Sequence, residues 1–171
     1  MPIQIIRWPD PILNRNSEPY QESEFGEELQ TLADNMLSLM KESNGMGLAA
    51  PQIGVSKQII VYKDPDTNEE GSLCNIEIEE LSEERDTKVE GCLSVPYLTI
   101  PIERPTSIQI KARRPDGSWV IETVTGTKAR IIQHETDHLN GLMFFDNLSK
   151  VARSMAIHKY LNIMKKQSRG R

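Results

Sequence analysis

The sequence predicts an α+β fold in which antiparallel strands pack around a central helix, with one further helix near each end of the chain. Three observations support this prediction. Apolar residues recur at helical spacing near both ends, short β-branched or alternating stretches occupy the middle, and a strong turn signal joins the last two of these stretches. The length of 171 residues suits a single domain, residues 1–171, whose C-terminal helix spans about 148–166.

The composition is that of an ordinary soluble globular protein, with 37% hydrophobic and 26% charged residues. A net charge of −5 is not the basic excess of a DNA-binding protein, so specific DNA binding is not expected. Two cysteines make no disulfide scaffold and suit a reducing compartment. No signal-peptide run and no bilayer-spanning stretch is present, so we expect a cytoplasmic protein without a membrane partner.

The N-terminal part of the chain is predicted to be extended and then helical. Residues 1–24 contain four prolines, which disfavour a continuous helix and suggest an ordered segment that wraps around the domain. A helix follows from about Phe25 to Glu42, because its apolar residues form one stripe, and Asn44-Gly45 ends it. Its methionines are expected in the core.

The segment Gly45–Gly54 is predicted to be a loop that lies close to a ligand. Gly45 and Gly47 flank Met46, and glycines allow a backbone to approach another group closely. A phosphate-binding loop is not indicated, since no complete glycine-rich phosphate motif is present. Gln52 is the one side chain of this loop able to donate a hydrogen bond to a substrate.

Strands are predicted from β-branched content and from alternation of apolar and polar residues. They are Gln58–Tyr62, Leu73–Leu81, Ser107–Arg113 and Trp119–Val124. The last two flank Arg114–Ser118, whose Pro-Asp-Gly sequence predicts a hairpin turn. The segment Lys88–Pro96 lies between these pairs of strands and is not assigned to a strand.

The central helix is predicted from about Thr127 to Asn140. His134 and His138 are four residues apart, so both imidazoles project from one face and can reach the same metal ion. Glu135 lies beside them as a proton carrier, which gives the H-E-x-x-H arrangement of metal-dependent hydrolases. Taken alone, the motif also permits a polar helix with two solvated or core histidines.

A hydrolytic metal site usually has three protein ligands, so a third is needed. One protease class places a histidine where this chain has Phe144, and another uses a downstream glutamate, but none follows Glu135. Downstream, only Asp146 and His158 have suitable side chains, and His158 is better interpreted as a surface histidine of a basic helix.

Upstream, Cys92 is the attractive candidate for the third ligand. Gly91 beside it permits close approach, and a thiolate with two imidazoles suits Zn²⁺ or Fe²⁺. A lone cysteine is also often a small buried hydrophobic residue. The sequence leaves this alternative open for Cys92 and favours it for Cys74.

Four stretches together resemble the peptide deformylase family in order and spacing, over roughly residues 1–150. They are Pro9–Leu13, Gly45–Gln52, Glu90–Ser94 and Gln133–Gly141. Two positions depart from the family pattern. Ile76 replaces the proline that members often have after Asn75, and Met46 replaces a more usual isoleucine or valine. Neither departure removes a residue with a chemical role.

The resemblance implies one divalent metal ion, Fe²⁺ in vivo, with Zn²⁺, Ni²⁺ or Co²⁺ able to replace it. Its ligands would be Cys92, His134 and His138, so the central helix would be the metal-binding helix of the fold. Glu135 would be the general base and acid. Gln52 would donate to the developing oxyanion together with the backbone N–H of Leu93.

The resemblance also implies that Gly45 and Gly47 let the substrate backbone lie along the loop, and we expect Met46 and Ile131 to line the pocket for the methionine side chain. These residues would hold the peptide backbone and the methionine side chain. Asp137 and the pair Glu90–Arg104 either orient the metal ligands or are ordinary surface charges, and the sequence leaves both interpretations open.

The implied reaction removes the N-formyl group from the N-terminal formylmethionine of nascent polypeptides and releases formate. A metalloprotease of the H-E-x-x-H type and a non-catalytic peptide-binding relative stay open as alternatives.

The last predicted helix, about Leu148 to Lys166, continues into a basic tail, since Ser149 to Arg171 contains seven basic residues and no acidic one. Either this helix is solvated and its apolar stripe packs on the domain, or the helix contacts the ribosome.

Overall fold

The structure is a computed structural model that describes residues 3–170. Within this range the chain forms three α-helices and seven β-strands. The helices are α1 (Glu27–Glu42), α2 (Gly126–Leu139) and α3 (Lys150–Arg169). The strands are β1 (Gly47–Ala49), β2 (Ile59–Lys63), β3 (Glu70–Glu80), β4 (Arg85–Cys92), β5 (Val95–Pro105), β6 (Ser107–Arg113) and β7 (Trp119–Thr125).

The strands of the described residues form a five-stranded antiparallel sheet, in the order β1-β2-β3-β6-β7, and an antiparallel ribbon of β4 and β5. Helix α2 packs on the larger sheet, where Ala129, Ile131 and Ile132 share one core cluster with Ile60 and Ile108. Ten of the fourteen residues of α2 are buried. The helix is therefore central, and the predicted α+β fold is confirmed.

The ribbon is the part of the fold that the sequence patterns did not predict. β4 is mostly exposed, and β5 includes Pro96, Pro101 and Pro105, residues that normally argue against a strand. A two-stranded ribbon tolerates them because each strand has an unpaired edge. The inward residues of β5 are buried in a second core cluster with Phe144 and Tyr160.

The N-terminal segment wraps across the domain as expected. Its backbone N–H groups donate at Ile6 to Gln52 O (2.7 Å), at Trp8 to Ser94 O (2.9 Å) and at Ser17 to Leu139 O (2.8 Å). These bonds link the glycine-containing loop, the ribbon and the end of α2. Pro2, one of the four prolines in the prediction, lies outside the described residues.

β3 is irregular where Ile76 departs from the family pattern. Its register with β6 shifts between Cys74 and Glu77, and Asn75 has a φ of 51°. The Asn75 side chain accepts from Tyr20 N (2.8 Å) and donates to Tyr20 O (2.9 Å). The irregularity therefore attaches the N-terminal segment to the sheet.

Each of the two outer helices contributes buried residues to one core cluster. α1 begins at Glu27, two residues after the predicted start, and buries Met36 and Met40, so these methionines are core residues. α3 follows Ser149, whose Oγ accepts from Ala152 N at 3.2 Å, and it buries Tyr160. None of the helices in residues 3–170 is long and apolar enough to cross a membrane.

Candidate metal centre

Three side chains converge where the end of β4 meets helix α2. The candidate ligand atoms of Cys92, His134 and His138 all lie within 4.8 Å of one another, and Cys92 Sγ is 3.4 Å from His138 Nε2. Within residues 3–170 this is the one group of at least three histidine, cysteine or acidic side chains that could hold a metal ion. A soft thiolate with two imidazoles is a chemically suitable donor set for a borderline divalent cation.

Local structure explains how Cys92 reaches the helix. It is the last residue of β4, and the pairing register shifts between Gly91 and Cys92, where the strand turns into β5. The two histidines lie one turn apart on α2, with ring centroids 5.3 Å apart. His138 is completely buried, and this burial lowers the pKa of its imidazole well below the ordinary value, which favours the neutral, ligating form.

Glu90 holds His134 from behind. Its Oε1 accepts from His134 Nδ1 at 2.8 Å, so Nε2 of that ring is left to face the centre. Arg104 donates to both oxygens of Glu90, at 2.6 Å and 2.9 Å, and to Asp137 Oδ2 at 3.0 Å. Burial alone would raise the pKa of Glu90, but the hydrogen bonds from His134 and Arg104 lower it to about 2. Glu90 therefore stays ionised beside the ring.

Glu135 lies beside the candidate ligands and is almost completely buried. Its Oε1 is 3.9 Å from His134 Nε2, and its Oε2 is buried without a hydrogen-bond partner among the described residues. Burial raises the pKa of Glu135 to about 7. A carboxyl group with this pKa exchanges protons readily near neutral pH.

Gln52 is held rigidly on the other side of Cys92. It is 1% exposed and lies in a 3₁₀ turn. Its Oε1 accepts from Ala49 N at 2.9 Å, and its Nε2 donates to Ser94 Oγ at 3.0 Å and lies 3.6 Å from Cys92 Sγ. The Gln52 amide therefore holds its donor nitrogen, Nε2, close to the sulfur atom of Cys92.

A mainly apolar cavity of about 490 Å³ opens at the centre. It is lined by all four of the predicted substrate residues, Gly45, Met46, Gly47 and Ile131, and by Leu93, His134 and Glu135. Met46 is 51% exposed and lies at the mouth. Residues from three separate motifs therefore line one cavity, whereas two other predicted site residues, Gln52 and His138, are not among its lining residues.

Two downstream side chains that could have served as a third ligand, Asp146 and His158, lie outside the group of Cys92, His134 and His138. Asp146 accepts from Arg153 Nε at 2.6 Å, and His158 is exposed on α3, so neither belongs to the group of candidate ligands. Arg130, Val89 and Tyr97 also line the cavity but were not predicted. Arg130 could have been found, because it lies one turn before His134 on the same helix.

Comparison with known proteins identifies the family. The sequence profile of polypeptide deformylases matches residues 2–154. A peptide deformylase of Mesorhizobium japonicum is 38% identical over 175 residues, which cover 100% of this chain and 98% of that protein.

Solved structures agree with this result. The crystal structure of a peptide deformylase from Legionella pneumophila has a TM-score of 0.85 and 37% identity, with 99% of each chain covered. A Plasmodium falciparum peptide deformylase in complex with an inhibitor has a TM-score of 0.83 and 34% identity, with 95% of this chain and 99% of that chain covered. This chain belongs to the polypeptide deformylase family.

Proposed function

We propose that this protein is a metal-dependent peptide deformylase, organised as one catalytic domain. It removes the N-formyl group from the N-terminal formylmethionine of nascent polypeptides and releases formate. The observation that supports this most strongly is the convergence of Cys92, His134 and His138 within 4.8 Å, beside the buried Glu135 and an apolar cavity. Such a substrate arises during translation, so the proposed compartment is the cytoplasm.

Cys92 Sγ, His134 Nε2 and His138 Nε2 are the proposed ligands of one divalent cation. The donor set is compatible with Fe²⁺, proposed as the ion in vivo, and with Zn²⁺, Ni²⁺ or Co²⁺. When bound, the cation supplies a Lewis acid that polarises the formyl carbonyl and acidifies water. The hydrogen bond from His134 Nδ1 to Glu90 supports this assignment, since it orients the ring and leaves Nε2 available.

Glu135 is proposed to move the proton. Its carboxylate accepts a proton from the attacking water and later delivers it to the amine nitrogen of the departing methionine. A pKa raised to about 7 makes both transfers feasible near neutral pH, because neither the acid nor the base form is strongly favoured. Its buried Oε2 forms no hydrogen bond with the described residues, so no protein group competes for the proton.

Gln52 and Leu93 are proposed to stabilise the oxyanion. The Gln52 amide cannot rotate freely, because the Ala49 N–H holds its Oε1 at 2.9 Å. Nε2 is therefore fixed near Cys92, and the backbone N–H of Leu93 follows Cys92 directly in the turn to β5. Donors positioned before the reaction stabilise developing charge without reorganisation.

The cavity is proposed to hold the methionine side chain against Met46 and Ile131. The rest of the peptide would lie along β1, which is an edge strand of the five-stranded sheet, near Gly45 and Gly47. An extended peptide can add to such an edge through backbone hydrogen bonds. A formyl carbon carries only hydrogen on its far side, so a site crowded by Glu135 would accept it and reject larger acyl groups.

Formate release from a formylmethionyl peptide by anaerobically prepared protein tests this function. We expect Glu135→Ala to reduce the rate by about 10²–10⁴ while the metal content is retained. Glu28→Ala, which changes an exposed glutamate on α1, is the matched control and should behave as the wild type.

Undiminished activity of Glu135→Ala would refute the proposed role of Glu135. Cleavage of an unformylated peptide without formate release would instead indicate the protease alternative. Stable binding of formylated peptide without any turnover would indicate a non-catalytic relative.

The basic helix α3 is proposed to contact the ribosome. Its basic residues within the described range are Lys150, Arg153, Lys159, Lys165, Lys166 and Arg169, while Arg171 lies outside that range. Arg153 is paired with Asp146 at 2.6 Å, so the patch is weaker than the sequence alone suggests. We expect co-sedimentation with ribosomes that weakens with added salt and is reduced by charge reversal at Lys159, Lys165 and Lys166. Absent or salt-insensitive co-sedimentation would refute this contact.

A further inference from the structure

We propose that Arg130 is a positioning residue of the metal centre, which holds the ribbon and helix α2 at the separation that the ligands need. It acts through Glu90 and does not touch the proposed ligands. The inference rests on the metal ligands proposed above. It concerns a residue that none of the sequence motifs included.

Both terminal nitrogens of the Arg130 guanidinium are engaged between α2 and the ribbon. Its Nη1 donates to Glu90 Oε2 at 2.6 Å and to Ile102 O at 2.8 Å. Its Nη2 donates to Asp86 Oδ1 at 2.7 Å and to Asp86 O at 2.9 Å. The side chain is 11% exposed. Four contacts of this length around a nearly buried guanidinium define one position for it.

Glu90 depends on two arginines. Its Oε1 accepts from His134 Nδ1 and from Arg104 Nη2, and its Oε2 accepts from Arg104 Nε and from Arg130 Nη1. A carboxylate that is 5% exposed is stable only when its oxygens are well paired. Removal of Arg130 would leave Oε2 held from one side only, so Glu90 could shift away from His134.

The helix contacts the ribbon on both sides of His134. Arg130, His134 and Asp137 are spaced four and three residues apart and therefore share one face of α2. Arg130 binds Glu90 directly, and Asp137 binds Arg104, which also binds Glu90. The resulting chain of ion pairs links α2 to β4 and β5 immediately before and after the ligand His134.

This link matters because Cys92 belongs to the ribbon and the histidines belong to the helix. The ribbon pairs with no strand of the larger sheet within residues 3–170, and isolated two-stranded ribbons are only marginally stable. Cys92 lies two residues after Glu90 on β4. The distance from Cys92 Sγ to His138 Nε2, 3.4 Å, therefore depends on how firmly Glu90 is held, as well as on the packing of β5 and Cys92 in the second core cluster.

Arg130→Met tests the inference, because methionine keeps an unbranched apolar side chain but removes the guanidinium. The matched control is Arg85→Met on the same strand as Glu90, whose ion pairs in the described residues are with Glu80 and Glu103. We would measure Co²⁺ and Zn²⁺ affinity by competition with a chelator, and record the absorption bands of the Co²⁺ form. Loss of a group that orients a ligand typically weakens metal binding by about 10–100-fold.

We expect Arg130→Met to bind both metal ions about 10–100-fold more weakly and to shift the thiolate-to-cobalt and ligand-field bands of the Co²⁺ form. Arg85→Met should have the metal affinity and the absorption bands of the wild type. Arg130→Lys should recover part of the affinity, since it keeps the charge and one donor direction. Asp86→Asn, at a side chain that is 41% exposed, should weaken binding in the same direction but less, because Arg130 keeps its contact with Glu90. If Arg130→Met does not fold, the metal affinities of Asp86→Asn and Arg130→Lys test the role of Arg130.

Wild-type metal affinity and unchanged Co²⁺ bands in Arg130→Met, Arg130→Lys and Asp86→Asn would overturn the inference. This result would leave the proposed function intact. A wild-type chain that binds neither cation would instead refute the metal centre itself.

Discussion

Gly47 and Glu135 are in such close contact that a Cβ atom at residue 47 would lie 2.5 Å from Glu135 Oε1. Gly47 begins β1, and Glu135 lies in the middle of α2. The packing of Glu135 therefore requires a glycine at residue 47, in addition to any role that this residue has in binding a peptide along β1. It provides the space in which the proposed proton carrier is held beside the proposed metal ligands.

Gly47→Ala should displace Glu135 without removing it. The added methyl group would overlap the carboxylate, and misplacement of a reacting group by about 1 Å can cost about 10²-fold in rate. We expect kcat for formate release to fall by about that factor, whereas the metal content stays unchanged. Wild-type kcat in this variant would show that the position of Glu135 is not critical.

Gln52→Ala should remove one donor to the oxyanion. Loss of such a donor typically reduces kcat by about 10²–10³-fold, and KM should change little because the donor acts on the developing charge. Ser94→Ala is the companion variant, since Ser94 Oγ only accepts from Gln52 Nε2 at 3.0 Å. We expect less than a tenfold effect there. Equal losses in both variants would argue against a direct role of Gln52.

The stability of the metal-free protein should depend on the protonation of Glu135. Burial raises its pKa from 4.5 to about 7, so the folded state binds more protons than the unfolded state between these pH values. The stabilising contribution of the protonated group is complete below pH 4.5 and is lost as the pH rises through about 7. The shift corresponds to a free energy of roughly 3 kcal/mol.

Denaturant titrations at several pH values across this window measure the effect. We expect the free energy of unfolding of the wild type to decrease relative to that of Glu135→Gln as the pH rises. A constant difference between the two proteins would contradict the raised pKa.

The metal identity should govern stability in air. Cys92 is the proposed thiolate ligand, and a thiolate beside redox-active iron is vulnerable to oxidation. We expect the Fe²⁺-loaded protein to lose formate-releasing activity in air, whereas the Zn²⁺- and Ni²⁺-loaded forms persist longer. Mass spectrometry of Cys92 checks the cause. Equal decay of all three forms would exclude iron-dependent oxidation.

The elements that local pattern determines were predicted well from the sequence. The central helix was predicted from Thr127 to Asn140 and spans Gly126–Leu139, and the strand Ser107–Arg113 has the predicted bounds. Hydrophobic periodicity and turn chemistry act over a few residues, so one sequence suffices to read them. The ribbon was missed because its strand β4 is largely exposed and its partner contains prolines, so its pairing depends on contacts with distant residues.

The site shows the same division. The spacing of His134 and His138 determined by itself that both rings face one point, because a helix places residues four apart on one face. The sequence alone left open whether Cys92 was a ligand or a small core residue. The family resemblance chose between these readings, and the structure brings the three side chains within 4.8 Å.

Only the tertiary structure decided how the cysteine is held near the histidines. Glu90 and Arg130 are far apart in the chain, yet they meet at 2.6 Å and join the ribbon to the helix. No local pattern encodes that distance, since it results from the packing of two separate elements and from the pairing of buried charges. The sequence identified His134, His138 and Cys92 as candidate ligands, and the packing of the ribbon on α2 brings their ligand atoms within 4.8 Å of one another.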